Sequence, residues 1–314
     1  MLTLSKIALA MTLITLPSEA VYDNVSAPLK RTIADSGSIP TKVAAIHTLG
    51  TCTIYGGASD DEIFENLAYL LEIISSDGHF VEAGDEGDVV TAALEGWGFL
   101  ATHIEDLEDE SEGAMEAFVE QLESSDPSVQ IAAGENIALI YEKSYTPQEE
   151  DEEVSDDGEA MSDPEDESMP GAPKLVKRYT PCRRTDQLVH TLSSLASLST
   201  RKLSKKDKKS LHSNFADILN SVENPTRGPR YQNAVSHETG KRYGSRMVVR
   251  IHQNGVMRID KWWKLHRLKG LRRVLQGGFV GHYEKNEVVF ESLPYVQISS
   301  LRLEELLIAY VRVL

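Results

Sequence analysis

The sequence is poor in cysteine, with only Cys52 and Cys182 in 314 residues. Two cysteines so far apart imply no disulfide framework, and no Cys-x-x-Cys or Cys/His spacing suggests a zinc site. We expect two ordinary thiols, one buried and one near the surface. Such sparse cysteine usage is normal for proteins of a reducing compartment.

Long apolar runs are also missing, since a membrane span needs about 20 consecutive apolar residues. The apolar run at 7–16 follows Lys6 and precedes Ser18-Glu19-Ala20, which fits a secretory signal peptide loosely. The alternative is a helix over 2–16 that ends at Pro17 and packs as part of a repeat. We favour the helix, and so expect a cytoplasmic or nuclear protein. A stack that starts inside a repeat lacks a cap, so we also expect chain before Met1.

Positive charge is scarce in the first half of the chain. Residues 1–172 hold 38 Asp and Glu against 5 Lys and Arg, whereas residues 173–314 hold 11 against 27. An asymmetry of this kind points to a polyanionic partner for the basic half, or to attraction between the halves.

Much of the negative charge lies at 146–171, which contains 12 carboxylates and no Lys or Arg. A segment with so few apolar groups cannot offset its ordering entropy, so we predict a disordered acidic linker over 145–172. Ser162 has acids at positions +1 and +3, which makes it a candidate site for an acidophilic kinase. An unmodified solvated spacer remains the alternative.

Signatures of catalysis are absent as well. The sequence contains no G-x-G-x-x-G after a strand, no P-loop, no H-E-x-x-H and no G-x-S-x-G. Its nine histidines are scattered, and none pairs with another at metal-ligand spacing. We therefore expect a non-enzymatic protein without cofactor, metal, small-molecule substrate or membrane partner.

What the first half does contain is a repeated pair of helices. The helical pattern predicts pairs at 22–34 with 41–55, 60–75 with 87–104, and 111–123 with 128–142, separated by Gly, Asp and Pro breakers. The second helices align with one another at Ala45, Ala93 and Ala133. Pairs that recur every 40–50 residues are typical of armadillo and HEAT repeats. We predict an armadillo-like α-solenoid over 1–144, with protein partners in its groove.

The second half predicts a smaller basic α+β domain over 173–314. Helices are expected at 185–198, 201–224 and 260–278. Strands at 247–252 and 256–260 flank Asn254-Gly255, the strongest short signal for a hairpin with a type I′ turn.

Two basic clusters in this half are candidates for phosphate contact, with one tryptophan that could stack on a base. The alternative is that the cations form solvated helix faces and the tryptophans lie in the core. We expect Trp262 in the core and leave Trp263 open. The candidate nucleic-acid-binding residues are Lys202, Lys205, Lys206, Lys208, Lys209, Trp263, Lys264, Arg267, Arg272 and Arg273.

These motifs, in their order, resemble the interferon-related developmental regulator family. The resemblance is carried by GENIALIYE at 134–142, the run Lys205 to Lys209, Ile259-Asp260-Lys261-Trp262, and His282 with Asn286. It covers most of 1–295 and includes the acidic linker. The apolar end at 296–314 departs from the family's further helix and basic tail, which puts functions of that tail in doubt.

The resemblance implies a helical-repeat domain followed by a family-specific C-terminal domain. For part of the family it implies an RNA- or ribosome-associated regulator, and for another part a protein-interaction scaffold that modulates transcription in the nucleus. The basic clusters are compatible with the first expectation, and the repeats with either.

Overall fold

The computed structural model describes residues 19–148, 174–197, 205–231, 233–234, 240, 244–251, 255–293 and 296–297. For residues 19–20, 205–210 and 296–297 it describes the backbone but not the side chains. The expected helix at 2–16, the acidic segment at 149–173 and the chain end at 298–314 lie outside the described residues. What is described is mainly helical, which confirms the predicted fold class.

The three predicted helix pairs are present. Their bounds are α1 Glu19–Asp35, α2 Ile39–Tyr55, α3 Asp60–Ser75, α4 Gly87–Ala101, α5 Glu108–Gln121 and α6 Pro127–Lys143. The sequence sets two of the starts directly. Ser59 and Glu62 form a reciprocal capping box before α3. Asp126 accepts a hydrogen bond from the backbone of Ser128, and Pro127 takes the first position of α6, where no N–H is needed.

The second helices of the pairs, α2, α4 and α6, pack against one another in a row. Ala45, Ala93 and Ala133 are all buried, so the aligned alanines lie in the core that this row forms. Gly98 shows how close the packing is, because a Cβ there would lie 2.2 Å from Oδ1 of Asn136 on α6. Small residues therefore let the helices approach, as the repeat pattern predicts.

The row does not stop at α6. Helices α7 Thr185–Ser197 and α8 Lys205–Glu223 form a fourth pair, and α8 packs on α6 as α6 packs on α4. Phe215 and Ile218 of α8 lie over Gly134, where a Cβ would meet Ile218 at 2.6 Å. We name the surface formed by α2, α4, α6 and α8 the second-helix face.

A two-stranded ribbon joins the third pair to the fourth. Strand β1 Tyr145–Pro147 pairs antiparallel with β2 Leu175–Lys177, with Thr146 opposite Val176. The amide of Arg178 also donates to Ser144 O at 2.7 Å. The two ends of the acidic segment are thus held side by side. The division of the chain into domains at 145–172 stays a prediction, while helix stacking continues across it.

The rest of the chain packs onto this stack. Strands β3 Met247–Arg250 and β4 Gly255–Ile259 form the expected antiparallel hairpin, and β5 Val296–Gln297 pairs with the start of β4. Helix α9 Trp262–Leu275 follows, then the short α10 Phe279–Lys285 and α11 Glu287–Ser292. Both cysteines are free, and Cys52 is buried while Cys182 is partly exposed, as expected.

One buried carboxyl lies where α8 meets the chain that leads to the hairpin. Oδ1 of Asp217 accepts a hydrogen bond from the backbone N–H of Arg230 at 2.6 Å. Burial raises the pKa of Asp217 to about 7, although that hydrogen bond and the charges of Arg230 and Arg246 favour the ionised form and lower the pKa.

This raised pKa predicts a pH-dependent effect of Asp217→Asn. Between about pH 4 and pH 7 the folded state holds a proton on Asp217 that the unfolded state has released. The stability contributed by the protonated group is therefore lost as pH rises through 7. We expect the variant to exceed the wild type by roughly 1–3 kcal/mol in free energy of unfolding at pH 8. Urea titrations should show a smaller difference in free energy of unfolding between the variant and the wild type at pH 5 than at pH 8. An equal difference at both pH values would contradict the raised pKa of Asp217.

Candidate binding surfaces

Helix α9, which carries one predicted basic cluster, lies across the second-helix face. Its first turn is capped by a glutamate from the third repeat pair. The Glu142 carboxylate accepts hydrogen bonds from the backbone N–H of Trp262 at 2.7 Å and of Trp263 at 3.1 Å. A carboxylate at this point pairs with unsatisfied N–H groups and with the positive end of the helix dipole.

The cap is buried together with the ring that follows it. Trp262 is in the core as predicted, and its indole N–H donates to Ser221 Oγ on α8 at 2.9 Å. Burial raises the pKa of Glu142, although the Lys261 charge and the two backbone N–H groups favour its ionised form. The start of α9 is thus fixed to both α6 and α8.

Arg267 fixes the middle of α9. Its guanidinium donates to Thr102 Oγ1 at 3.0 Å and Thr102 O at 2.8 Å, at the end of α4. A third hydrogen bond, of 3.1 Å, reaches Ser292 O on α11. Ser292 in turn accepts from the hydroxyl of Tyr55 on α2. Arg267 therefore joins α9 to the end of α4 and to α11, whose Ser292 also contacts α2.

Two further glutamates of the second-helix face hold cations of α9. Lys269 Nζ lies 2.5 Å from Glu135 of α6, and Arg273 lies 2.6 Å from Glu95 of α4. Glu95 also contacts Nε2 of His47 at 3.1 Å. Burial opposes ionisation of Glu95, but the His47 hydrogen bond and the Arg273 charge outweigh it and lower its pKa. Burial lowers the pKa of His47 as well, so near pH 7 a neutral imidazole donates the hydrogen bond from Nε2–H to the Glu95 carboxylate.

The predicted nucleic-acid-binding residues of α9 are therefore largely engaged within the protein. Besides Arg267 and Arg273, Lys264 pairs with Asp260 at 2.6 Å. Trp263 is half-buried, with Arg267 above its ring at 4.9 Å from the centroid and Lys264 at 5.6 Å. Arg272 is exposed, and its charge lies near the Phe279 ring. Phosphate binding here stays a prediction, and it would have to compete with these contacts.

The second basic cluster lies at the start of α8. The structure places Lys205, Lys206, Lys208 and Lys209 in the first five residues of that helix, and describes their backbone alone. Lys202 and the candidate phosphorylation site Ser162 lie outside the described residues.

The sequence argument missed the acidic partners of α9. Glu135 and Glu142 lie within GENIALIYE, where nearly every other side chain is buried. A glutamate among buried residues indicates an internal partner, because an unpaired buried charge is too costly. That signal was available in the sequence, although nothing in it pointed to α9.

The junction of α2, α4 and α9 leaves a small cleft lined by His47, Glu95, Arg273 and several glycines, with an enclosed volume of about 10 Å³. That is room for about one water molecule, far below the ~300–1,000 Å³ of typical small-molecule sites. Within the described ranges, no cluster of three or more His, Cys, Asp or Glu could hold a metal ion. Among the same residues, no helix has the length and apolar character to cross a membrane.

The side of the helix stack formed by the first helices of the pairs, away from α9, is acidic. Residues 43–142 contain no Lys or Arg at all. Glu95, Glu135 and Glu142 face α9, whereas most other carboxylates of this stretch are exposed. The exposed ones on the first helices of the pairs include Asp61, Glu65 and Glu72 of α3 and Glu112, Glu116 and Glu120 of α5. Helices α3 and α5 contribute no cation of their own to neutralise it.

A comparison with known families agrees with the motif resemblance. The family model for the interferon-related developmental regulator matches residues 2–223, more than two thirds of the chain. The chain belongs to the interferon-related developmental regulator family. The match takes in the repeats, the acidic segment and the lysine run of α8, and it ends before the hairpin and α9.

A curated relative extends the comparison. An uncharacterized protein of Schizosaccharomyces pombe is 29% identical over 238 residues, which cover 76% of this chain and 47% of that protein. The chain thus spans about half the length of the curated relative it matches. Membership in the interferon-related developmental regulator family supports a regulatory role for this chain.

The contacts of α9 predict different roles for two of its arginines. Arg267→Met removes three hydrogen bonds and leaves the carbonyl groups of Thr102 and Ser292 without this donor. We expect a loss of roughly 2–3 kcal/mol in free energy of unfolding.

The matched control is Arg272→Met, which alters an exposed side chain five residues further along the same helix. It should change stability by about 0.5 kcal/mol or less. Thermal and urea unfolding of both variants measures the difference. Equal losses would contradict the role assigned to Arg267.

Proposed function

We propose that this protein is a non-catalytic regulator that associates with RNA-containing particles, ribosomes included. The stacked helix pairs serve as a rigid support, and the lysine run at the start of α8 provides the RNA contact. The family's regulatory character and the strongly basic second half support this proposal.

The observation that carries it is the position of the lysine run. Helix α8 is described from Lys205, and four lysines and Asp207 fill its first five described residues. Lysines three and four positions apart are neighbours on a helix surface, so these four repel one another. A polyanion bound at this point would relieve that repulsion, and phosphate groups are neutralised by lysine clusters of this kind.

The cations of α9 are less suitable for the same task. Lys269, Arg267 and Arg273 already have partners inside the protein, and Trp263 has cations over its ring. We therefore assign the RNA contact to α8 rather than to α9. Arg272 is the candidate of α9 that is exposed.

A second candidate function is a protein-interaction scaffold that acts as a transcriptional co-regulator in the nucleus. The acidic outer side of the repeats favours it, because an exposed surface rich in carboxylates suits a basic protein partner. The groove predicted for protein partners is less suitable, since α9 lies across the second-helix face. Partners would bind the outer side, or would have to displace α9.

Salt and charge reversal distinguish the two functions. We expect the tagged protein to co-sediment with ribosomal fractions in a sucrose gradient at low salt. With about four phosphate contacts to single-stranded RNA, affinity should fall on the order of 50-fold between 50 and 200 mM salt. Reversal of Lys205, Lys206, Lys208 and Lys209 to Glu should move the protein to the top of the gradient at both salt concentrations.

The matched control reverses four other exposed cations, Lys174, Lys177, Arg183 and Arg184, to Glu. It changes the net charge by the same amount at a different place, so co-sedimentation should be retained. If wild-type protein stays at the top of the gradient at low salt, the RNA proposal is wrong and the scaffold is favoured. Equal losses in both variants would assign the effect to net charge instead of the lysine run.

A further inference from the structure

The segment between β2 and α7 presents one threonine in an unusual setting. Residues 178–184 read RYTPCRR. Tyr179 and Pro181 are buried, whereas Thr180 between them is exposed. The side chains thus alternate in and out, as in extended chain, and the Thr180 hydroxyl faces solvent.

Cations surround this hydroxyl along the chain. Lys177, Arg178, Arg183 and Arg184 are all exposed. Thr180 is followed directly by Pro181, and Arg183 stands three positions after it. Threonine, then proline, with a cation at +3, is the arrangement that proline-directed protein kinases accept. The proline has no N–H that needs a partner in the kinase cleft, and the cation pairs with acidic groups of the enzyme.

We propose that Thr180 is a phosphorylation site for a proline-directed, ATP-dependent protein kinase. In this step Thr180 Oγ forms a bond to the γ-phosphorus of ATP, and the bond from that phosphorus to the β,γ-bridging oxygen breaks. ADP leaves, and the hydroxyl proton passes to the catalytic base of the kinase.

The segment is weakly tied to the rest of the protein, which gives a kinase access to it. Within the described residues, no backbone N–H of residues 179–183 donates a hydrogen bond to another backbone group. The hydroxyl of Tyr179 is buried without a hydrogen-bond partner. Local opening therefore breaks the exposed Arg183–Glu112 ion pair and the hydrogen bond from Thr185 Oγ1 to Cys182 O, and exposes Tyr179 and Pro181.

Phosphorylation would change the charge balance between this segment and α5. Arg183 pairs with Glu112 of α5 at 3.2 Å, and both side chains are largely solvent-exposed. A phosphate adds about −1.5 to −2 charge and binds arginine more strongly than an exposed carboxylate does. Phosphothreonine at 180 would draw Arg183 away from Glu112 and add negative charge beside the acidic start of α5.

The chain provides its own comparison. Thr146-Pro147 and Thr180-Pro181 are the two places in the sequence where Ser or Thr precedes Pro. Thr146 lies in β1, where its Oγ1 accepts a hydrogen bond from Nε of Arg178 at 2.5 Å, and its +3 residue is Glu149. Thr146 thus shares the proline but lacks the cation and the free hydroxyl.

The test is an in vitro reaction of the full-length protein with a purified cyclin-dependent kinase and ATP, with sites assigned by mass spectrometry. We expect Thr180 to be phosphorylated roughly tenfold faster than Thr146. Thr180→Ala should remove the main product. Arg183→Ala should slow the reaction several-fold, while Arg184→Ala, which alters the neighbouring exposed arginine at +4, should leave the rate near that of the wild type.

A synthetic peptide of residues 174–188 completes the test. Phosphorylation of the peptide but not of the folded protein would show that the fold protects Thr180, and would overturn the proposal. Preference for Thr146, or equal effects of Arg183→Ala and Arg184→Ala, would overturn it as well.

Discussion

The hydrogen bonds from the first turn of α9 to Glu142 are the constraint on which much of the structure depends. Glu142 and Trp262 are 120 residues apart in sequence, yet the carboxylate accepts from two successive N–H groups of α9. Once the start of α9 is fixed on α6, Arg267 reaches the end of α4 and Arg273 reaches Glu95. The C-terminal half of the chain is thereby part of the same packed body as the repeats.

This docking changes how the charge asymmetry of the sequence is understood. The acidic first half and the basic second half meet at defined places, at Glu95, Glu135 and Glu142. Half-buried ion pairs such as Lys269–Glu135 and Arg273–Glu95 are screened by salt less than surface pairs are, and Glu142 holds backbone N–H groups instead of a cation. Among the described side chains, the charges left exposed include Arg272, the arginines around Thr180 and the acidic outer side of the repeats. The lysine run of α8 is the RNA contact that we propose. Attraction between the halves and a polyanionic partner are thus compatible, because they use different residues.

The sequence predicts the repeats well because their signals are local. Gly, Asp and Pro breakers mark the helix ends, and Ala45, Ala93 and Ala133 mark a shared packing position that is buried in each copy. Asn254-Gly255 likewise predicts the β3–β4 hairpin, since that turn suits the twist of the strands.

The position of α9 could not be predicted in this way, because the partners of its cations lie on other helices far away in sequence. The pattern of a basic amphipathic helix with two tryptophans is equally compatible with an RNA-binding surface and with a helix whose cations pair inside the protein. The neighbouring Trp262 and Trp263 show the limit: helical periodicity places Trp262 in the core, but the half-buried state of Trp263 depends on Arg267 and on tertiary packing.

The central claim is that the two halves form one body that does not need the acidic segment to stay together. The most direct measurement introduces a specific protease site within 149–173, cleaves the purified protein, and analyses it by size-exclusion chromatography at low and high salt. We predict that both fragments elute together at the position of the intact protein in each buffer, because buried hydrogen bonds and apolar packing hold α8 on α6 and α9 on the second-helix face. Separation of the fragments after cleavage, without denaturant, would contradict this account and would mean that the repeats and the basic half are independent domains.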